Sequence, residues 1–167
     1  MMGERALARL DQTESDSFAI DLKKWHAIMQ AYEGGGHAYH ATMPTDGLVG
    51  FRDAMVETRS MGFAAAKAAQ WALGDAVRTH LKDKGIRSVA AAGFAAPGVV
   101  VSYTDDPDIQ SGAKFAAEGM QIAAGVPLQV GEPEGFRTFR IGLFGLDKLK
   151  NVDATLARLL PVLDRVL

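Results

Sequence analysis

Two short stretches of this chain carry side chains suited to small-anion chemistry. Tyr39-His40-Ala41-Thr42-Met43-Pro44 puts a phenol, an imidazole and a hydroxyl just ahead of a helix that Asp46 is placed to start. Hydroxyl donors at such a place suit a phosphate or a carboxylate, and an ordinary polar loop accounts for the same residues. The second stretch is Arg137-Thr138-Phe139-Arg140-Ile141-Gly142-Leu143-Phe144-Gly145. Its period-two alternation turns Phe139, Ile141 and Leu143 to one face and Thr138, Arg140 and Gly142 to the other. Gly142 leaves space beside the Arg140 guanidinium. An arginine held on a strand can take a carboxylate through two parallel N–H bonds. The other reading of Arg140 is a solvated sheet-face arginine.

Other chemistries find no anchor. There is no cysteine, which removes disulfides, thiolate metal sites and cysteine nucleophiles. His37 and His40 have the i, i+3 spacing of a metal pair but lack a third ligand nearby, so they read as hydrogen-bonded loop histidines. His26 and His80 read as helix-surface groups. Gly34-Gly35-Gly36 is followed by no Lys-Ser/Thr and is not a phosphate loop, and no G-x-S-x-G is present. Asp105, Asp106 and Asp108 cluster where a helix begins, and capping explains them.

These residues need elements to position them. The sequence predicts a helix over 4–10, almost uncapped, and a second helix capped from Ser15-Asp16-Ser17 that carries Ile20, Trp25, Ile28 and Met29 and stops at the three glycines. A helical period runs from Leu48 to about Lys84 through Phe51, Met55, Ala66, Ala69, Leu73, Val77 and Leu81, with Gly62 dividing or kinking it. The alanine-rich run from Ala64 reads as a close-packing surface. A short strand at 88–91 and a stronger one at 99–103 follow. A helix capped by Asp106, with Pro107 in its first turn, runs to about Glu118. The segment 121–124 is ambiguous between helix and strand. A strand at 138–143 and a last helix from Asn151, kinked or shortened by Pro161, complete the order. The fold class is α+β: a small antiparallel or mixed sheet with helices on one face.

With 167 residues, 18 Lys and Arg against 20 Asp and Glu, and 48% hydrophobic residues, the chain has the composition of a globular protein. A net charge of −2 provides no basic footprint for nucleic acid or an anionic membrane. No apolar run is long enough to span a bilayer, and the expected setting is cytoplasmic.

Ser17-Phe18-Ala19-Ile20-Asp21-Leu22-Lys23-Lys24-Trp25, the stretch 39–46 and the stretch 137–145 together resemble the class V pyridoxal-phosphate aminotransferases, in the alanine–glyoxylate, serine–pyruvate and aspartate–glyoxylate branch. The stretches 96–103 and 121–128 are similar to the same branch, so the resemblance covers nearly the whole chain in order. It implies the C-terminal part of a fold-type-I enzyme, a dimer with a large cofactor domain and a smaller α+β domain. Residues 1–50 then correspond to a remnant of the large domain and its interface loop, 51–84 to a connecting helical region, and 85–167 to the small domain.

By the same resemblance, Tyr39 and Thr42 reach the phosphate of pyridoxal phosphate in the neighbouring subunit. Arg140 binds the substrate's α-carboxylate, and His40 receives no role. The implied reactants are a small amino acid and a 2-oxo acid such as glyoxylate or pyruvate. The implied protein partner is a second copy or a missing large domain. The family's cofactor-bearing lysine lies upstream of the segment that resembles 1–10. Lys23, Lys24, Lys67, Lys82, Lys84, Lys114, Lys148 and Lys150 all stand in other contexts. The chain alone is therefore expected to have no transaminase activity and no stable native hold on the cofactor. A split-enzyme subunit and a non-catalytic binding remnant are the alternatives. Met1-Met2-Gly3 reads as an internal or artificial start, and Trp25, Ile28 and Met29 are expected to form an exposed apolar patch.

Overall fold

A computed structural model describes residues 2–167. Met1, part of the start noted above, lies outside the described residues. The chain divides into two compact units, Met1–Arg52 and Asp53–Leu167.

The first unit holds α1 (Glu4–Leu10), α2 (Leu22–Glu33) and the opening turns of α3 (Thr45–Met61). No side chain caps α1. Helix α2 starts at Leu22, later than its expected cap, because Asp21 is the residue whose carboxylate accepts the Lys24 N–H. The serine hydroxyls upstream are used locally: Ser15 Oγ accepts from the Ser17 N–H and Ser17 Oγ from the Ile20 N–H. Ile28 is buried, which removes it from the expected apolar patch, whereas Phe18, Ile20, Met29 and Tyr32 are exposed. Trp25 donates its indole N–H to the Ala19 carbonyl at 2.9 Å.

In the second unit, α3 ends at Gly62, whose φ of +87° breaks the long helical period, and α4 (Phe63–Asp83) resumes it. Leu73, Val77 and Leu81, spaced i, i+4, i+8, are at most 2% exposed. The expected close-packing alanine surface is only partly realised. Ala66 and Ala69 are half-buried, and Ala64, Ala65 and Ala68 face solvent. Strands β1 (Val99–Tyr103), β2 (Ala123–Ala124) and β3 (Thr138–Gly142) form an antiparallel sheet in the order β1-β3-β2. The expected strand at 88–91 shrinks to a single bridge between Ser88 and Ser102.

The register pairs Val100 with Ile141 and Ser102 with Phe139, so these four share one face. They pack into a core with α4, α5 (Pro107–Ser111), α6 (Ala113–Ala117) and α8 (Val152–Val166), where Phe115, Phe139 and Leu163 are fully buried. The expected single helix from Asp106 to Glu118 is two, because Gly112 adopts φ +84° between them. A short helix, α7 (Leu146–Leu149), precedes α8. Pro161 does not shorten α8. It sits on the exposed side with Ala157, whose carbonyl loses its partner to the missing N–H. Among the described residues no helix is long and apolar enough to cross a membrane.

Candidate functional site

Arg140 lies at the middle of β3, the central strand, with backbone ladders on both sides. The register puts Val101 and Ala123 opposite it on the two neighbouring strands. Its own row of the sheet therefore carries no acid. Arg140 Nε donates to the Ala124 carbonyl at 2.9 Å, which fixes the side chain against β2. Among the described residues no carboxylate forms an ion pair with Arg140, and its terminal nitrogens are left for an outside acceptor. That geometry suits a planar carboxylate. The space expected beside the guanidinium exists over Gly142. The nearest neighbour a Cβ there would meet is the Phe144 ring, 3.7 Å away, and Phe144 is largely exposed.

Thr138, on the same face as Arg140, is 1% exposed. Its cover is Gly125, whose backbone presses so close that a Cβ there would stand 1.8 Å from the Thr138 carbonyl oxygen. The Gly125 N–H donates to Gln110 O at 3.0 Å. Gln70 on α4 donates to the carbonyls of Pro97 and Leu143, tying the start of β1 to the residue after β3. These supports of Arg140 were invisible in the sequence, because each is a contact between distant backbone segments.

The β2–β3 connection is ordered by Glu132. Its carboxylate accepts the backbone N–H groups of Leu128, Gln129 and Val130, with Gln129 in the left-handed region at φ 61°. Its own backbone N–H, joined by those of Val130, Gln129 and Leu128, holds the carboxyl below its ordinary range.

In the first unit, Tyr39 and Thr42 come together: the phenol oxygen and Thr42 Oγ1 are 3.3 Å apart, and both residues are exposed. They line an open cleft of about 330 Å³ with Trp25, Ile28, Tyr32 and Met43. His40 is occupied structurally. Its Nε2 donates to the Phe18 carbonyl at 2.8 Å, and its ring packs on Phe18 and Trp25. His37 packs edge-on against Tyr32. No group of three or more metal-ligating side chains occurs among the described residues. The two hydroxyls fit the oxygens of a phosphate group, but the cleft lining includes no lysine or arginine. A phosphate held here needs its charge balanced from elsewhere.

No known family model and no curated protein matches the chain. Solved structures do. An alanine–glyoxylate aminotransferase from Nostoc sp. superimposes with a TM-score of 0.77 at 17% identity, over 99% of this chain and 42% of that one. An aspartate aminotransferase of subgroup IV from Thermus thermophilus superimposes with a TM-score of 0.59 at 18% identity, over 99% of this chain and 44% of that one. The chain spans less than half the length of either. At these identities the likeness is one of fold alone, to a part of each of these structures.

Proposed function

We propose that this chain supplies the C-terminal part of a pyridoxal-phosphate aminotransferase of the class V branch, moving an amino group from a small amino acid to glyoxylate or pyruvate in the cytoplasm. The observation that carries the proposal is Arg140, centred on a rigid strand, held by Nε, and without an acid partner among the described residues. Arg140 anchors the substrate's α-carboxylate and so orients the carbon that reacts. Tyr39 and Thr42 donate hydrogen bonds to the cofactor phosphate of a neighbouring subunit. When bound, pyridoxal phosphate supplies the electron sink for the reaction. A lysine that carries the cofactor and moves the proton is required from outside the residues described, and the 167-residue chain alone gives no steady turnover.

The test has two parts. The purified chain is mixed with pyridoxal phosphate and an amino donor, and keto-acid formation is followed. Steady turnover by this chain alone overturns the lysine argument. Arg140→Ala is then assayed in the assembly that does turn over, whether a longer reading frame or a lysine-bearing partner chain. Loss of a desolvated charge pair is expected to weaken substrate binding by about 2–5 kcal/mol, roughly 30-fold or more. Unchanged kinetics remove Arg140 from the site.

A further inference from the structure

A basic cavity lies in the Asp53–Leu167 unit, on the side of β1 where residues 87–89 hydrogen-bond to it. It measures about 570 Å³, between the C-terminal turns of α4 and the segment 85–95. Leu81, Ile86, Ala90, Ala91, Ala92 and Ala95 give it apolar walls. The charged residues lining it are Arg78, Lys82 and Arg87, all positive, in a chain of net charge −2.

None of the three forms an ion pair with a carboxylate among the described residues. Arg87 lies over the Tyr103 ring at 4.8 Å, which sets its stem but leaves its charge unmatched. Arg78 is the more telling case. Its Nη2 donates to the carbonyls of Ala96 and Val99, while Nε and Nη1 are buried with no acceptor. Those two nitrogens are closed off from solvent, so what an anion in the adjoining cavity would meet is the unmatched charge of a partly buried guanidinium. Burial lowers the Arg78 pKa from its ordinary value, with the charge of Asp75 opposing, yet a guanidinium stays protonated at neutral pH.

We propose that this cavity binds a small monocarboxylate with a short apolar body, its charge facing Arg78, Lys82 and Arg87 and its methylenes lying on the alanine walls. The carboxylate is favoured over a bare inorganic anion because most of the lining is aliphatic, and an ion with no apolar part gains nothing there. The cavity lies among residues 78–102, and Arg140 is not part of its lining.

The test is a titration of the isotopically labelled 167-residue chain with sodium butyrate, with sodium chloride holding ionic strength constant, followed by backbone amide shifts. Saturable shifts confined to residues 78–102 are expected, with a Kd on the order of 1 mM for so small a ligand. Lys82→Gln with Arg87→Gln, both on exposed side chains, is expected to weaken binding at least about fivefold while the amide spectrum stays folded. Butyramide is expected to cause no saturable shift. The proposal is overturned by no saturation at about 50 mM butyrate, by equal binding of butyramide or inorganic phosphate, or by unchanged affinity in the double variant.

Discussion

Gly125→Ala isolates the backbone contact that supports the candidate carboxylate site. The added Cβ would stand 1.8 Å from the Thr138 carbonyl oxygen, 2.5 Å from its carbon and 2.8 Å from Oγ1. To reach even a 3.0 Å approach, segment 124–126 must move off β3 by about 1.2 Å. Two of the three atoms are backbone inside a hydrogen-bonded strand, so no rotamer change relieves the clash. Overpacking of this kind costs about 1–3 kcal/mol, and here the upper end applies. The expected total is about 3 kcal/mol.

The assay is urea unfolding read by Trp71 on α4, with Trp25 replaced by Phe so that only the Asp53–Leu167 unit reports. With an m-value of about 1.5 kcal/mol/M, the midpoint should fall by about 2 M. Gly98→Ala is the matched control. A Cβ there meets nothing nearer than 3.6 Å, an ordinary contact, and stability should change by less than about 1 kcal/mol. Equal effects of the two substitutions, or a fall below about 0.5 M for Gly125→Ala, would refute the close-approach reasoning.

Three further outcomes follow from the packing and the charges. Phe139→Ala removes a fully buried ring that packs on Phe115 at 5.9 Å between centroids, and should cost about 3–5 kcal/mol in the same urea assay. Pro161→Ala restores a helix N–H on the exposed side of α8 and should raise stability by about 1–2 kcal/mol, the gain being reduced by the more flexible unfolded chain. The Asp106 carboxyl is held below its ordinary range by Lys114 and by the N–H groups of Asp108 and Ile109. Its contribution is therefore present above the ordinary carboxylate pKa of about 4 and disappears as pH falls through the lower folded-state value. Asp106→Asn keeps the cap oxygen and loses the charge, so urea midpoints of the two proteins should differ at pH 7 and converge on acidification. Parallel curves would refute this.

Elements with two agreeing local signals were legible in the sequence. Val99–Tyr103 combines β-branched residues with a preceding Pro-Gly, and Asp106-Pro107 combines a cap with a first-turn proline. Asn151 caps α8 as expected, with its side chain accepting from the Ala154 N–H. The errors arose where a local signal was outbid by a competing one or depended on distant chain. Ser15 and Ser17 have capping chemistry but bond within their own turns, so Asp21 takes the cap. The helical pattern after Pro107 continues past Gly112, which the left-handed backbone there interrupts. Pro161 breaks helices in general, but its cost falls when the orphaned carbonyl is solvated. Thr138 lies on the face that the alternation gives it, but its burial by Gly125 is not a property of the strand's own residues.

The two candidate sites, one in each unit, differ in what they still need, and the sheet explains why. Arg140 is positioned by a strand bonded on both sides and by its own Nε bond to Ala124, so the donors it offers are already oriented before any carboxylate arrives. A lysine at this position would keep the charge but lose the planar fork that allows both the Nε anchor and a paired carboxylate. Tyr39 and Thr42 sit on an exposed loop, 3.3 Å apart, with neutral hydroxyls and with His40 already committed to the Phe18 carbonyl. Two neutral donors orient a phosphate but do not neutralise it. The proposed carboxylate-binding role therefore rests on residues of the Asp53–Leu167 unit alone, whereas the proposed phosphate-binding role requires cationic groups outside the 39–42 loop.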